Sequence, residues 1–188
     1  MTEEEAKSMG DLFPDLGPEA PVISGIAHDR SEALATVRGV PNEPGMAAKV
    51  FTELATAGVN VDMIVQAGAS VGTADISFTV PEAAVKQVQN TLLDKLDVLG
   101  YHSFDVNTNV GKVAVVGVGM KTHSGLAAKF FQALSDEDIN VLMISTSEIR
   151  IAALVTLDQL NDAVKALHTA YGLDADQIEA VVYGGTGR

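Results

Sequence analysis

The chain has 188 residues, 47% of them hydrophobic, no cysteine and a formal net charge of −13 at neutral pH. That length and apolar content suit one ordinary domain or two small ones with real cores. The acidity, with only 5% aromatics and no Trp, argues against a nucleic-acid binder, since phosphates are held by clustered Lys and Arg and single strands by stacked rings. The lack of cysteine excludes a disulfide framework, thiol catalysis and thiolate zinc sites.

Residues 1–21 come first. Glu3, Glu4, Glu5, Asp11, Asp15 and Glu19 stand against one base, Lys7, with Pro14, Gly17 and Pro18 among them, which predicts an acidic flexible tail. Neither a signal peptide nor an apolar run of the roughly 18 residues that span a bilayer is visible; a cytoplasmic protein without membrane contact is expected. Val22 to Ala27 is a short strand-like run expected to add to the unit that follows.

From Leu34 onward two units of similar plan appear. Leu34 to Val40 reads as a strand and Pro41 to Gly45 as a loop. Ala47, Val50, Phe51 and Leu54 then lie on one helical face. Gly58 ends that helix, and Val59 to Val65 is strand-like. Ala69 to Thr73 is a turn of small residues, and Ala74 to Val80 a further strand. Pro81 suits a first helical turn, Val85, Val88, Leu92, Leu96 and Leu99 mark a second helix, and Tyr101 to Val106 closes the unit.

The second unit repeats the order. It has a strand at Lys112 to Val118, a helix from Ser124 to Asp136, strands at Asn140 to Ser145 and Ile149 to Val155, a helix carrying Leu157, Leu160, Val164 and Leu167, and a last strand at Ile178 to Tyr183. At an offset of eighty, ten of the twenty positions 45–64 are identical to 125–144, among them Gly45 and Gly125, Ala47 and Ala127, Asn60 and Asn140. Such self-similarity indicates an internal duplication. The expected fold is α+β, two ferredoxin-like βαββαβ modules with antiparallel sheets. Their boundaries are 22–108 and 109–188, and the sheets are expected to pair between chains in a homodimer.

Catalytic signatures are thin. His28, His102, His123 and His168 are too far apart for metal-ligand spacing, and no metal site or cofactor is expected. "GVGMKTHSG" lacks the glycine before Lys-Thr that a phosphate loop needs, and the Gly-rich "YGGTGR" precedes no helix. Asp62 and Asp75 would lie on neighbouring strands without a nucleophile or metal beside them. The repeated loop is more informative. A strand that turns through Pro-Gly into a helix exposes the amides of Gly45, Met46 and Ala47 at a positive helix end suited to a carboxylate. Asn60 offers a donor and an acceptor to the same cavity. The small residues serve equally to pack the helix on its sheet.

"GIAHDRSEALATVRGVPNEPGMAAKVF", "VNVDMIVQ", "GKVAVVGVGMKTHSGLAAKFF", "ISTSEIRI" and "AVVYGGTGR" together resemble the regulatory part of an aspartate kinase. The likeness is to the tandem ACT domains that form the separate β subunit of α2β2-type enzymes. It implies feedback control of the first step from aspartate toward lysine, threonine and methionine, exerted on a catalytic α subunit. The Lys-Phe-Gly-Gly start of the kinase domain is absent, so no catalytic residue is expected. Threonine, with lysine as the second candidate, would bind at module interfaces.

The resemblance implies a first site of Asn42, Gly45, Met46, Ala47, Val59, Asn60, Asp62, Gln66 and Ser77. The Gly45 to Ala47 amides would take the carboxylate, and Asp62 or Gln66 the ammonium. The paired module would add Gly125, Ile139, Asn140, Ile144, Ser145, Thr146, Ser147 and Glu148. Relatives usually carry Asp where this chain has Asn42, and Pro where it has Ser124. Two other readings compete: a structural assembly subunit with degenerate ligand sites, and a small ferredoxin-like acyl-phosphate hydrolase, for which Lys121 and His123 are a poor cradle.

Overall fold

A computed structural model of the chain describes residues 22–120 and 125–173. The acidic segment 1–21, the loop with Lys121, His123 and Ser124, the expected strand at Ile178 to Tyr183 and the Gly-rich end lie outside the described residues. Eight strands are seen in chain order: β1 (Val22–Asp29), β2 (Glu32–Pro41), β3 (Ile64–Ser70), β4 (Thr73–Pro81), β5 (Ser103–Asn107), β6 (Val110–Val118), β7 (Met143–Thr146) and β8 (Arg150–Thr156). The helices are α1 (Met46–Thr56), α2 (Val85–Asp94), the single turn α3 (Leu96–Leu99), α4 (Leu126–Asp136) and α5 (Leu160–Ala170). Short 3₁₀ turns at Glu82–Ala84 and Leu157–Gln159 lead into α2 and α5.

The strands form two antiparallel four-stranded sheets, ordered β3-β4-β2-β5 and β1-β6-β8-β7. This is the expected pair of ferredoxin-like modules. In the first, alternate residues of β2 and β4 (Ala35, Val37, Ile76, Phe78) face Val50 and Leu54 of α1 and Val88 and Leu92 of α2 in one core. Phe51 meets Phe78 edge-on at 5.6 Å. In the second, Val113, Val115, Ala153 and Val155 face Phe130, Leu134, Leu160 and Leu167. Such alternation is what a sheet with helices on one face requires.

Two expectations are corrected here. β3 and β7 begin later than expected, because Val59 donates to Leu54 O at 3.0 Å and Ile139 to Leu134 O at 3.0 Å, so both residues still close the preceding helix. The run at Val22 to Ala27 is a strand, but of the other sheet. β1 pairs with β6, and Ile26 is buried in the second core. The corner that carries the chain across is built by Asp29, whose Oδ1 accepts both the Ser31 amide and the Ser31 hydroxyl at 2.7 Å. A boundary at 108/109 therefore separates the second sheet from its own edge strand.

β1 and β2 are separated only by that corner, and β5 and β6 only by residues 108–109. The register carries straight through: Asp29 faces Lys112, and five residues further on Leu34 faces Asn107, five residues back. One two-stranded ribbon thus runs through both sheets. Beside it Met63, Ala114, Met143, Ala152 and Leu154 form a third cluster with Leu34 and Val65. The repeat-related Met63 and Met143 meet there, where alanines let the sheets approach.

Gly111 on β6 lies under the first turn of α5, and a Cβ there would come within 2.8 Å of Leu160 Cδ2 and 3.1 Å of its Cβ. Replacing Gly111 by Ala is expected to cost about 1–3 kcal/mol through overpacking, seen as a lower urea midpoint with unchanged slope.

Candidate functional site

Both repeated loops end in the same backbone device. Gly45 precedes α1 at φ 92 and Gly125 precedes α4 at φ 98, each in left-handed conformation with no side chain capping the helix. A side chain is strained at such a φ, which is why glycine stands at both. In the first loop Asn42 N–H donates to Gly72 O at 2.9 Å, tying the loop to the β3–β4 turn, and Met46 N–H donates to Glu43 O at 3.2 Å. Met46 is therefore occupied and its side chain is buried. Among the described residues the amides of Gly45, Ala47 and Ala48 have no backbone acceptor. These donors at a helix N-terminus can take an anion.

Asn60 does not share that end of the module. α1 has 11 residues, about 16 Å at 1.5 Å per residue. Gly45 is at its start, whereas the Val59 to Asp62 segment is anchored past its end, with Asp62 N–H donating to Thr79 O at 3.0 Å. Gly45 and Asn60 of one module are therefore a helix length apart, too far for one amino acid. Ser77 is also separated from Gln66. It lies opposite Thr36 and Val65, with its hydroxyl 3.0 Å from Thr36 Oγ1, while Ile64 and Gln66 lie opposite Phe78 and Ile76 on the other face.

The second module repeats this layout. Asn140 and Ile139 follow the end of α4, Ile139 buried and Asn140 exposed, just as Val59 is buried and Asn60 exposed. Ile144 is 46% exposed and its repeat mate Ile64 is 50% exposed. Among the described residues both stand on edge strands, β3 and β7. Ser145 is half-buried, Thr146 and Glu148 are exposed, and Ser147 N–H donates to Arg150 O at 2.8 Å. Apolar edge strands of this kind invite pairing with another strand.

Asp62, expected to meet an ammonium, already has one. Lys112 Nζ lies 2.8 Å from Glu32 Oε1 and also bonds Asp62 Oδ2. Nothing in the sequence pattern marks this cluster, since its members are fifty and eighty residues apart; only the strand-like run around Lys112 hints that its ammonium needs a partner. Burial raises the Glu32 carboxyl above its usual range, against the Lys112 hydrogen bond and charge and with help from Asp62 and Asp29. Burial acts the same way on Asp62, but the hydrogen bond and charge of Lys112 outweigh it and hold that carboxyl below its usual range. Lys112 is raised: burial alone would lower it, and the two carboxylates reverse the sign.

The two acids therefore contribute oppositely. Stability from Asp62 is present above its unfolded value of 3.8 and is lost as pH falls through its lower folded value. Glu32 favours the folded state when protonated, and that contribution is lost as pH rises from 4.5 through its higher folded value. The Glu32→Gln variant is expected to be no less stable at pH 7 and to lose the rise in stability that the parent gains as pH falls toward 4.5. Denaturation curves at pH 7 and 5 check this; parallel slopes in parent and variant would contradict it.

Asp75, the other strand carboxylate, accepts the Gly39 amide at 3.0 Å, at the bulge between Val37 and Val40. Among the described residues no group of His, Asp and Glu converges as a metal site, and no helix is long and apolar enough to cross a membrane.

The family model for the ACT domain matches this chain twice, over residues 36–96 and 113–171. The aspartokinase of Corynebacterium efficiens is 47% identical over 177 residues, covering 93% of this chain and 42% of that protein. The chain thus spans about two fifths of the length of the curated relatives it matches. A solved structure of aspartokinase alpha and beta subunits superposes with a TM-score of 0.75 at 43% identity, covering 80% of this chain and 99% of the matched one. The ligand-free regulatory subunit of aspartate kinase from Thermus thermophilus gives a TM-score of 0.75 at 33% identity, with the same coverage.

Proposed function

Because the chain belongs to the ACT-domain family and is similar over most of its length to regulatory parts of aspartate kinases, we propose that it senses end-product amino acids and restrains a catalytic subunit that phosphorylates aspartate. Threonine is the first candidate effector and lysine the second. The protein acts in the cytoplasm as a homodimer without catalysis of its own.

The observation that carries this reading is the separation of Gly45 from Asn60. Among the described residues the first module has free amides at one end of its first helix and an exposed Asn at the other, and the second repeats the left-handed glycine and the exposed Asn at opposite ends of α4, so neither closes a site alone. Antiparallel pairing of β3 of one chain with β7 of a second brings each helix start beside the other chain's Asn. Gly45 and Ala47 then face the partner's Asn140, and Asn60 faces the partner's Gly125. Ile64 and Ile144 bury each other, Val59 and Ile139 support the floor beneath them, and Gln66 and Thr146 line the seam. The amides receive the effector carboxylate, and Asn side chains with strand carbonyls receive its ammonium. Asn42, Ser145, Ser147 and Glu148 sit at the rim. Both effector charges need such partners, since an unpaired buried ion costs several kcal/mol.

Thermal melts of the purified chain with each amino acid test the reading. Threonine or lysine at millimolar concentration raises the midpoint, and Asn60→Ala or Asn140→Ala weakens that effect; no shift with either amino acid ends the sensor reading. A second reading, an assembly subunit with degenerate sites, is favoured by Asn42 and by the engagement of Asp62 with Lys112. It predicts binding to the catalytic subunit with no melt shift.

A further inference from the structure

The ribbon formed by β1–β2 and β5–β6 changes sheet between Asp29 and Glu32 on one side and between Asn107 and Val110 on the other. Lys112 sits at this bend. Its ammonium joins β6 of the second sheet to Glu32 at the start of β2 and to Asp62 ahead of β3, both in the first module. Glu32 is 8% exposed, and among the described residues its Oε2 has no hydrogen-bond partner. A residue held this deep, with one oxygen unsatisfied, does not maximise stability, because a hydrophobic replacement of a buried ion pair is often neutral or favourable. What such a pair supplies is a fixed geometry. The surrounding charges are few: Asp29 on β1 acts on Glu32, and Arg150 on β8 acts on Asp62. The corner is pinned independently by Arg30, which bonds Asn161 Oδ1 on α5.

We propose that Lys112, with Glu32 and Asp62, is a latch that sets the angle between the two modules and transmits occupancy at the Asn60 edge to the second sheet. Asp62 lies two residues from Asn60 and one from Met63, which packs in the cluster between the sheets. A shift of that segment on ligand binding therefore pulls on Lys112 and bends the ribbon. The transmission half rests on the sensor reading above; the latch itself does not.

The chain has no cysteine, so spin labels placed through Lys86→Cys on α2 and Lys165→Cys on α5, both exposed, report one intermodule distance in the 188-residue chain diluted with unlabelled chain. The parent gives a single narrow distribution. Lys112→Met broadens it, and so does the charge-free triple variant Glu32→Gln, Asp62→Asn, Lys112→Met, which removes the latch without leaving a buried charge and melts close to the parent. An unchanged distribution in the folded triple variant overturns the latch. Threonine affinity in that variant is expected to fall at least about fivefold, the lower end of ordinary coupling; unchanged affinity beside a broadened distribution overturns the transmission. A parent that binds neither threonine nor lysine ends the sensor reading and leaves the latch to be judged on distances alone.

Discussion

Truncating Phe78 to alanine lowers the unfolding free energy by about 3–5 kcal/mol. The ring is fully buried on β4, in register with Ala35 of β2 on one side and Ile64 of β3 on the other. It meets Phe51 of α1 edge-on at an interplanar angle of 76°, a contact worth about 0.5–1.5 kcal/mol beyond the area buried. Val50, Leu54, Ile76 and Leu92 around it are buried and held on separate elements, so the cavity cannot collapse cheaply. Urea denaturation with unchanged slope measures the loss; a loss below about 1 kcal/mol would show that the first module repacks freely.

Replacing Gly45 by Val abolishes the stabilisation by threonine, which at a hundredfold excess over its dissociation constant amounts to about 2.7 kcal/mol in the parent. No heavy atom of the described residues lies within 4 Å of a Cβ built at Gly45, so the substitution meets no clash there. Two effects remain. A branched residue at φ 92 costs about 1–2 kcal/mol or more, and its methyls stand over the amides that would hold the carboxylate. Gly172, at φ 69 and likewise with no described heavy atom within 4 Å of a Cβ, supplies the matched control. Gly172→Val should lose similar stability yet keep the threonine shift. If both variants keep the shift, the amides at Gly45 and Ala47 are not the carboxylate site.

Local periodicity disclosed the duplicated plan because each element carries its own pattern. Val50 and Leu54 face a sheet, Ala35 and Val37 face a helix, and the glycines at 45 and 125 stand where the backbone turns left-handed. What it could not disclose was partnership over distance. Val22 to Ala27 reads as a strand, but a strand-like run names no sheet; the Asp29–Ser31 corner sends it to β6, and a bulge between Ile23 and Gly25 lets Ile23 and Ile26 share the second core. Placing Asn60 in the cavity of Gly45 treated residues close in sequence and repeated together as close in space. The helix between them carries them to opposite ends. Ser77 and Gln66 sit on adjacent strands, and only the register shows them on opposite faces. The resemblance implied a ligand role for Asp62, and nothing local shows that Lys112, fifty residues away, engages it.

The ribbon also dictates an order of assembly. β1 and β6 are neighbours in the second sheet, yet the whole first module lies between them in the chain, and closing a loop that long from a disordered state carries a substantial entropy cost. Once β2 has paired with β5, that loop is already closed, and β1 and β6 emerge side by side in register with only a corner left to form. Late formation of the β1–β6 pair follows. The first module is the splint on which the second is completed.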